Sequence, residues 1–333
     1  MSDFLLSEAD EWTHAPTTEP HFNESVYVSA FDDVSGVGGW MRLGNRVNEG
    51  FAELSVCLYL PDGRLACQFQ RPEITDNAAF AAGGLRFEVV APFREAEIAF
   101  EGEVALLPDP APLREPGAAF LNAPRAPASI VWRQAAASPL HGGVPARPDV
   151  EPYYGREVSL GHFNQHVTVS GEVRIGSESW TVRGRGWRDH SWGPRVWQNI
   201  FFHRLFTAHF PDGRGFMLLK IAERGAKARR LGVLLVDGEY EEILDLDVVT
   251  DWDGRQDPRA VHIVARTERR SVEISGEILS LAPLRNRRKI GDGIVMSRIA
   301  EAATRFTWDG ETAFGMSEYV ERIENGRLCG FPS

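Results

Sequence analysis

Apolar and polar residues alternate with a period of two through most of the chain. The alternation is plainest at residues 166–173, 261–265 and 271–278, where apolar side chains recur at every second position. This period places one row of side chains on the buried face of a β-strand and the other row on the opposite face. Long helical periodicity is missing, apart from one short helix suggested near residues 299–304. We therefore predict an all-β protein.

Turn sequences separate these alternating runs. Asp-Gly occurs at 62–63, 212–213, 237–238, 253–254, 292–293 and 309–310, and Asn-Gly occurs at 325–326. Both pairs tolerate the positive φ angles that two-residue hairpin loops require. The pattern predicts antiparallel strands that are joined mainly by hairpins.

The number of strands suggests the architecture. The candidate strands before Gly193 are residues 26–31, 39–43, 52–60, 64–71, 85–90, 96–105, 155–173 and 179–192. Those after it are residues 200–210, 215–222, 230–236, 239–249, 261–267, 271–281, 294–306 and 313–323. An eight-stranded antiparallel barrel can hold one small ligand, as in lipocalins. We predict two such lipocalin-like barrels in tandem, at residues 1–195 and 196–333.

Residues 106–152 interrupt this pattern, because they are rich in Pro, Ala and Arg and show little alternation. One interpretation is a linker between two domains, with the boundary near residue 150. The other is an excursion inserted before the last two strands of the first barrel. We favour the excursion, since the first barrel reaches eight strands only if those two strands belong to it.

Composition and charge narrow the classes of partner. A formal charge of −11 disfavours nucleic acid, since binding phosphates requires a positive surface. The basic stretches at 227–230 and 285–289 are flanked by acidic segments, which favours solvated loops over anion sites. We expect no integral membrane segment, since no run approaches ~18 consecutive apolar residues. Three cysteines and an acidic start to the chain, without a basic signal region, predict a cytoplasmic protein.

The most unusual segment runs from residue 183 to residue 195, where Trp, Arg, Asp, His and Trp follow one another. In a regular strand, Asp189 shares a face with Trp187, whereas His190 shares the other face with Arg188 and Trp192. A β-bulge would be needed to bring Asp189 and His190 together.

This segment resembles the central signature of the hydroxyneurosporene synthase (carotenoid 1,2-hydratase) and AttH-like superfamily. The resemblance rests on residues 186–193, the aromatic strand after them and the hairpin at 212–213, with further similarity at 22–25, 39–46 and 314–319. The resemblance covers nearly the whole chain, which is most similar to an uncharacterised bacterial branch of this superfamily. It implies two lipocalin-like barrels and chemistry on bulky apolar substrates, since alkene hydratases and intramolecular cyclases belong to the superfamily.

Acid-assisted alkene chemistry requires a carboxyl group that can hold a proton near neutral pH, which burial favours. We predict Asp189 as this acid, assisted by His190, with Glu318 as a second candidate and Asn23 and Glu24 as weaker ones. Aromatic faces would shelter a developing carbocation. The predicted substrate contacts are Trp187, Trp192, Trp197, Phe202, His203, Tyr319, Arg188 and Arg195. We expect Glu318 and Tyr319 to enter the pocket of the second barrel.

The predicted function is therefore hydration, isomerisation or cyclisation of an isoprenoid, steroid-like or polyketide-like molecule without a cofactor. The alternative is a non-catalytic carrier of a lipid or terpenoid, because a barrel can bind apolar ligands without chemistry. Asp189 could also form a structural ion pair with Arg185, Arg188 or Arg195. We expect no metal, since the histidine spacings match no recognised site. The substrate and the oligomeric state stay open.

Overall fold

The structure is a computed structural model that describes residues 3–156, 158–195, 200–223, 225, 227–290 and 293–331. The chain forms two compact units. The first comprises Met1–Pro61, Ala66–Leu106 and Pro124–Trp197, and the second comprises Asp62–Leu65, Leu107–Ala123 and Gln198–Ser333. The division of the chain into domains at residues 1–195 and 196–333 stays a proposal.

Twelve described strands form the first sheet. They are β1 (Phe4–Leu5), β2 (Phe22–Phe31), β3 (Gly38–Arg46), β4 (Phe51–Tyr59), β5 (Leu65–Gln70), β6 (Ala81–Ala82), β7 (Leu85–Ala91), β8 (Glu95–Leu107), β9 (Arg125–Ala136), β10 (His141–Pro145), β11 (Gly161–Ile175) and β12 (Glu178–Pro194). Strand β12 pairs with β2, and β9 pairs with both β8 and β11. These pairings join β11, β12, β2, β3, β4, β5, β8 and β9 into a ring.

Nine described strands form the second sheet. They are β13 (Ile200–His209), β14 (Gly215–Glu223), β15 (Arg229–Val236), β16 (Glu239–Trp252), β17 (Pro258–Thr267), β18 (Ser271–Ile290), β19 (Gly293–Trp308), β20 (Glu311–Glu324) and β21 (Arg327–Leu328). Each of the strands β13 to β20 pairs with the next, and β13 also pairs with β20, which closes an eight-stranded antiparallel barrel. The predicted all-β fold of lipocalin-like barrels is confirmed.

Each barrel has its own apolar core, which follows from the period-two alternation. Val28, Leu43 and Val56 lie in the core of the first barrel, and Phe206 and Ile263 lie in that of the second. Burial of these aliphatic and aromatic side chains stabilises each barrel by about 1.5–3 kcal/mol per fully buried side chain.

Three of the predicted hairpin turns have the expected backbone conformation. Asp237-Gly238, Asp309-Gly310 and Asn325-Gly326 have positive φ angles at both residues. Two positive angles in succession define the type I′ turn, whose twist matches that of the flanking strands. At the 292–293 pair, Asp292 lies outside the described residues.

Several predictions about individual segments are wrong. Residues 106–152 contain β9 and β10, whose Pro and Ala content hid the strand signal, as well as the helix α1 (Pro116–Asn122). Residues 299–304 belong to β19 rather than to a helix. Residues 285–289 lie in β18, and Arg229 and Arg230 lie in β15, so neither basic stretch is wholly a loop.

Helical structure is sparse in the residues that the structure describes. Besides α1, it consists of the 3-10 helices Glu8–Glu11, Val47–Glu49 and Ala111–Arg114. None of the helices in the described residues has the length and apolar character that spanning a membrane requires.

Candidate functional site

The register of three strands places the unusual segment at one end of the first barrel. Strand β12 pairs with β11 and β2 without a shift, so that His190 lies opposite Phe163 on one side and Val26 on the other. Trp192 lies opposite Glu24 in the same way. Because opposite residues share a face, Glu24, His190 and Trp192 lie on one face of the sheet. This is the face whose apolar residues Val26 and Val28 pack in or against the barrel core.

Glu24 is the centre of a buried hydrogen-bond cluster. Its side chain is 0% exposed. Glu24 Oε1 accepts hydrogen bonds from His190 Nε2 at 3.0 Å and from His14 Nδ1 at 2.6 Å. Glu24 Oε2 accepts from the His14 backbone N–H at 2.8 Å and from Asn77 Nδ2. Asn77 is itself oriented by a hydrogen bond that Asn45 Nδ2 donates to Asn77 Oδ1 at 2.9 Å.

These contacts fix the charges in the cluster. Burial by itself would raise the pKa of Glu24, but hydrogen bonds from His14 and His190 outweigh it and lower the pKa to about 2. Burial likewise opposes the charge of His14, but hydrogen bonds to Glu24 and Asp10 outweigh it and raise its pKa. Both ring nitrogens of His14 face carboxylates, so both donate when the ring is protonated. Glu24 is therefore an anion near neutral pH and cannot act as the proton donor.

His190 is the proton-transfer group that this arrangement leaves available. Its side chain is 2% exposed, and its Nε2–H donates to Glu24. Its Nδ1 atom is buried and has no hydrogen-bond partner among the described residues. Rings of Phe80, Phe163 and Trp192 surround it at centroid distances of 5.1, 5.4 and 5.1 Å. The imidazole therefore has a fixed orientation and lies in a buried, aromatic environment.

Residues 8–14 cover this end of the barrel, and we call them the N-terminal cover. Glu11 accepts two hydrogen bonds from the Arg188 guanidinium, at 2.5 and 3.0 Å, and one from the Phe93 backbone at 2.8 Å. The His14 ring stacks on Trp192 with the centroids 4.0 Å apart. Two buried ion pairs, Glu11 with Arg188 and His14 with Glu24, therefore hold the cover in place.

The hollow beside His190 is small. Its walls include Glu11, Phe80, Arg188 and both Asp189 and His190. Its volume of about 20 Å³ provides room for one water molecule but not for an isoprenoid. Among the described residues, this hollow is too small for such a substrate, because the aromatic side chains and the N-terminal cover fill this end of the barrel.

Asp189 does not join the cluster. Since β12 has no bulge at this point, Asp189 and His190 lie on opposite faces, as the alternation requires. Two of the three predicted arginine partners bind other acids: Arg188 binds Glu11, and Arg185 lies 3.3 Å from Asp33.

The outward face that carries Asp189 also holds Trp187 and the neighbourhood of Arg195. Burial lowers the pKa of Arg195 to about 10, and the charge of Asp189 opposes that shift. Arg195 donates to the Val158 carbonyl at 2.8 Å and to Ser191 Oγ at 2.7 Å. Trp187 is buried, and its ring makes a T-shaped contact with that of Tyr27. Neither Asp189 nor Trp187 shares the face of Glu24 and His190.

The remaining predicted residues lie in the second unit, except Trp197, which lies outside the described residues. Tyr319 enters the second core, and its hydroxyl lies 3.2 Å from Thr250 Oγ1. Alternation turns Glu318 to the opposite face, where it lies 3.3 Å from His203. The expectation that Glu318 and Tyr319 enter one pocket is therefore wrong. Phe202 is buried under the guanidinium of Arg204, at 5.3 Å.

The Glu24 cluster also has the donor atoms that a metal ion needs. His14, Glu24 and His190 each offer one ligand atom, and these atoms lie within 4.8 Å of one another. Two histidines and a carboxylate are a known ligand set for divalent metals. A metal would require His14 to lose its ring proton, which the hydrogen bonds to Asp10 and Glu24 oppose. Histidine spacing alone could not predict this set, since its members are remote in sequence.

Sequence reasoning gave Glu24 little weight and missed His14, Asn77 and Glu11. One signal was available for Glu24. It occupies the apolar face of β2, in register with Val26 and Val28, where an unpaired carboxylate would be costly. No comparable signal marks His14 or Asn77, because both lie in irregular segments between strands.

The fold and this cluster define a two-barrel, lipocalin-like protein with a buried carboxylate–histidine pair. Within that class, the chain belongs to the family described as Domain of unknown function (DUF7064), which matches residues 7–323. A search among curated proteins gives no match.

Solved structures with the same fold extend over almost the whole chain. An AttH-like protein from Nitrosomonas europaea is 14% identical, with coverage of 94% of this chain and 95% of that chain, at a TM-score of 0.62. Kievitone hydratase from Nectria haematococca is 8% identical, with coverage of 95% and 93%, at a TM-score of 0.57. CghA with Sch210972 is 12% identical, with coverage of 96% of each chain, at a TM-score of 0.54. These similarities confirm the AttH-like fold, whereas the resemblance to hydroxyneurosporene synthase stays a prediction.

Proposed function

We propose that the protein is an acid–base enzyme that moves protons to and from carbon in an apolar small molecule, with His190 as the proton carrier. The observation that carries this proposal is the hydrogen bond from His190 Nε2 to the ionised Glu24, which leaves Nδ1 buried without a partner in the described part of the chain. An oriented imidazole beside a carboxylate is a common general acid–base pair.

The chemistry follows from which nitrogen is protonated. Because Nε2–H donates to Glu24, Nδ1 is a base when the ring is neutral and an acid when the ring is charged. In hydration, Nδ1–H gives its proton to one alkene carbon, and the neutral ring then takes a proton from the water that adds to the other carbon. In isomerisation, the ring removes one carbon-bound proton and returns a proton elsewhere.

The surroundings of His190 favour such a reaction on an apolar substrate. Glu24 places a negative charge 3.0 Å from the imidazole, and aromatic rings shelter positive charge on the substrate. The adjacent hollow accommodates one water molecule, the reactant that hydration needs. Kievitone hydratase shows that this fold occurs in a protein named for hydration, which supports the proposal without fixing the substrate.

Substrate access requires the N-terminal cover to move. The apolar molecule would replace His14 over Trp192, and Arg188 would then be released from Glu11. Asp189, Glu318, Trp187, Phe202, His203, Tyr319 and Arg195 stay proposed contributors to substrate binding or catalysis, although no side-chain contact joins them to His190 in the described geometry. Trp197, outside the described residues, also stays a proposed contributor.

Solvent deuterium incorporation tests the proposal and separates an enzyme from a carrier. Compounds that copurify with the protein, and the isoprenoid enone β-ionone as a defined probe, are incubated with the protein in D2O and analysed by mass spectrometry. We expect the wild-type protein to introduce deuterium at carbon, His190→Gln to lose this activity, and the exposed control His262→Gln to retain it. Bound compounds that stay free of deuterium would favour the carrier.

A further inference from the structure

The second unit contains a separate cavity with a different chemical character. It has a volume of about 330 Å³, at the small end of the range for ligand pockets. Among the described residues, four guanidinium groups and one carboxylate, that of Asp257, contribute to its walls. The arginines are Arg114, Arg255, Arg285 and Arg298. This excess of positive charge lies in a chain whose net charge is −11.

Two of these arginines are neutralised by acids of the chain. Arg298 is buried and bonds the carboxylate of Glu321, and it lies 3.5 Å from Asp257. Arg114 bonds Asp257 as well. Glu321 is also shared with Arg204, at 2.6 Å. Asp257 and Glu321 are therefore shared among Arg114, Arg204 and Arg298.

The other two arginines differ from this pair: Arg255 has only a charge interaction with nearby Asp253, and Arg285 has no acid beside it in the described part of the chain. The guanidinium groups of Arg255 and Arg285 form no hydrogen bond or ion pair with any residue in the described ranges. Arg255 is exposed on the loop before β17, whereas Arg285 is half-buried in β18. A half-buried guanidinium without an anion is unfavourable, because it has lost part of its hydration without a replacement.

The register of the sheet also places Arg285 directly opposite a second arginine, Arg298. Glu321 of β20 lies opposite Arg298 of β19, and Arg298 lies opposite Arg285 of β18. The row across three strands is thus one acid followed by two bases. Like charges directly opposite each other destabilise a sheet. An anion beside Arg285 would complete an alternating row and remove this repulsion.

The rest of the wall is apolar. Ile294, Met296, Ile323 and Leu328 contribute to it, and Ile294 is 69% exposed. A ligand that matches both parts of the wall has an anionic head for the arginines and an apolar body for these side chains. Planar guanidinium groups bind the two oxygens of a carboxylate in a parallel geometry.

We propose that this cavity binds an amphipathic organic acid, with its carboxylate beside Arg285 and its apolar body along β19. This site is independent of the Glu24 cluster and of the function proposed for it. It also replaces the expectation that residues 285–289 form a solvated loop without a role in anion binding.

Isothermal titration calorimetry with octanoate tests the proposal. We expect octanoate to bind the wild-type protein, and octan-1-ol and inorganic phosphate to bind at least tenfold more weakly, since each offers only half of the required chemistry. Arg285→Gln should weaken octanoate binding about tenfold or more, as expected for loss of a charged hydrogen bond. Arg266→Gln, an exposed arginine of β17 that pairs with Asp245, is the matched control and should bind normally.

Thermal unfolding distinguishes a loss of ligand binding from a loss of folding in these variants. Because Arg285 lies opposite Arg298 and has no acid partner in the described chain, Arg285→Gln should leave the Tm unchanged or raise it. Arg255→Gln, in the exposed loop, provides a second variant that should also weaken binding. Absence of octanoate binding, equal binding of octanoate and octan-1-ol, or unchanged affinity in both variants would overturn the proposal.

Discussion

Replacing Glu24 by Gln tests whether the buried cluster has the charges that its geometry requires. The substitution keeps the size and one carbonyl oxygen of the side chain but removes the negative charge that His14 and His190 share. The pKa of Glu24 lies at about 2, compared with 4.5 for an unperturbed glutamate. At about 1.4 kcal/mol per unit of pKa, the folded state favours the ionised form by about 3 kcal/mol.

The sign of the pH dependence follows from this shift. A carboxyl group whose pKa is lowered by folding stabilises the protein above pH 4.5, and the contribution is lost as the pH falls towards 2. His14 has a raised pKa, so its contribution is complete below pH 6.5 and is lost at higher pH. The cluster should therefore stabilise the protein most between about pH 4.5 and 6.5.

Urea unfolding at pH 3 and pH 6, followed by tryptophan fluorescence, measures the effect of the substitution and its dependence on pH. Trp192, whose ring stacks on that of His14, reports locally on the cluster. At pH 6, Glu24→Gln should lower the free energy of unfolding by about 3 kcal/mol, and the difference from wild type should shrink at pH 3. Glu103→Gln, on the exposed part of β8, should change it by less than about 0.5 kcal/mol. A difference between wild type and Glu24→Gln that is equal at both pH values would refute the assigned charges.

Two further predictions concern the cover and the metal. Glu11→Gln removes the acid that binds Arg188, so residues 8–14 should exchange amide hydrogens faster and the protein should bind an apolar dye more strongly. The control Glu8→Gln, at an exposed position, should change neither hydrogen exchange nor dye binding. Equal exchange in both variants would show that the Glu11–Arg188 ion pair does not hold the cover in place. Treatment with EDTA should leave deuterium incorporation at carbon unchanged, because hydrogen bonds to Glu24 and Asp10 raise the pKa of His14 and so oppose metal binding. Loss of activity on chelation and recovery with added metal would contradict this.

The fold was predictable because its signals are local. Period-two alternation and Asp-Gly turns identified most strands, and the type I′ turns at Asp237 and Asp309 have the expected geometry. Strand β9 was missed because Pro127 and several alanines weaken the alternation, although the pairing of β9 with β8 and β11 closes the first ring. Strand pairing that is remote in sequence compensated for a weak local preference.

The candidate site was only partly predictable. The segment around His190 was identified from its composition, but Asp189 was chosen as its partner because it is adjacent in sequence. In an unbroken strand adjacent residues lie on opposite faces, so the partner of His190 comes from the neighbouring strand as Glu24. His14 reaches the cluster from an irregular segment whose path no sequence period encodes.

The protonation of His190 decides whether this residue can carry a proton to and from a substrate. Nitrogen-15 NMR of histidine-labelled protein measures it directly, with His190→Gln to assign the signals. We predict that neutral His190 carries its proton on Nε2, towards Glu24, and leaves Nδ1 unprotonated. Glu24→Gln should weaken this preference. A neutral ring protonated on Nδ1 in the wild-type protein would contradict the proposed role, because that nitrogen could then accept no proton from a substrate.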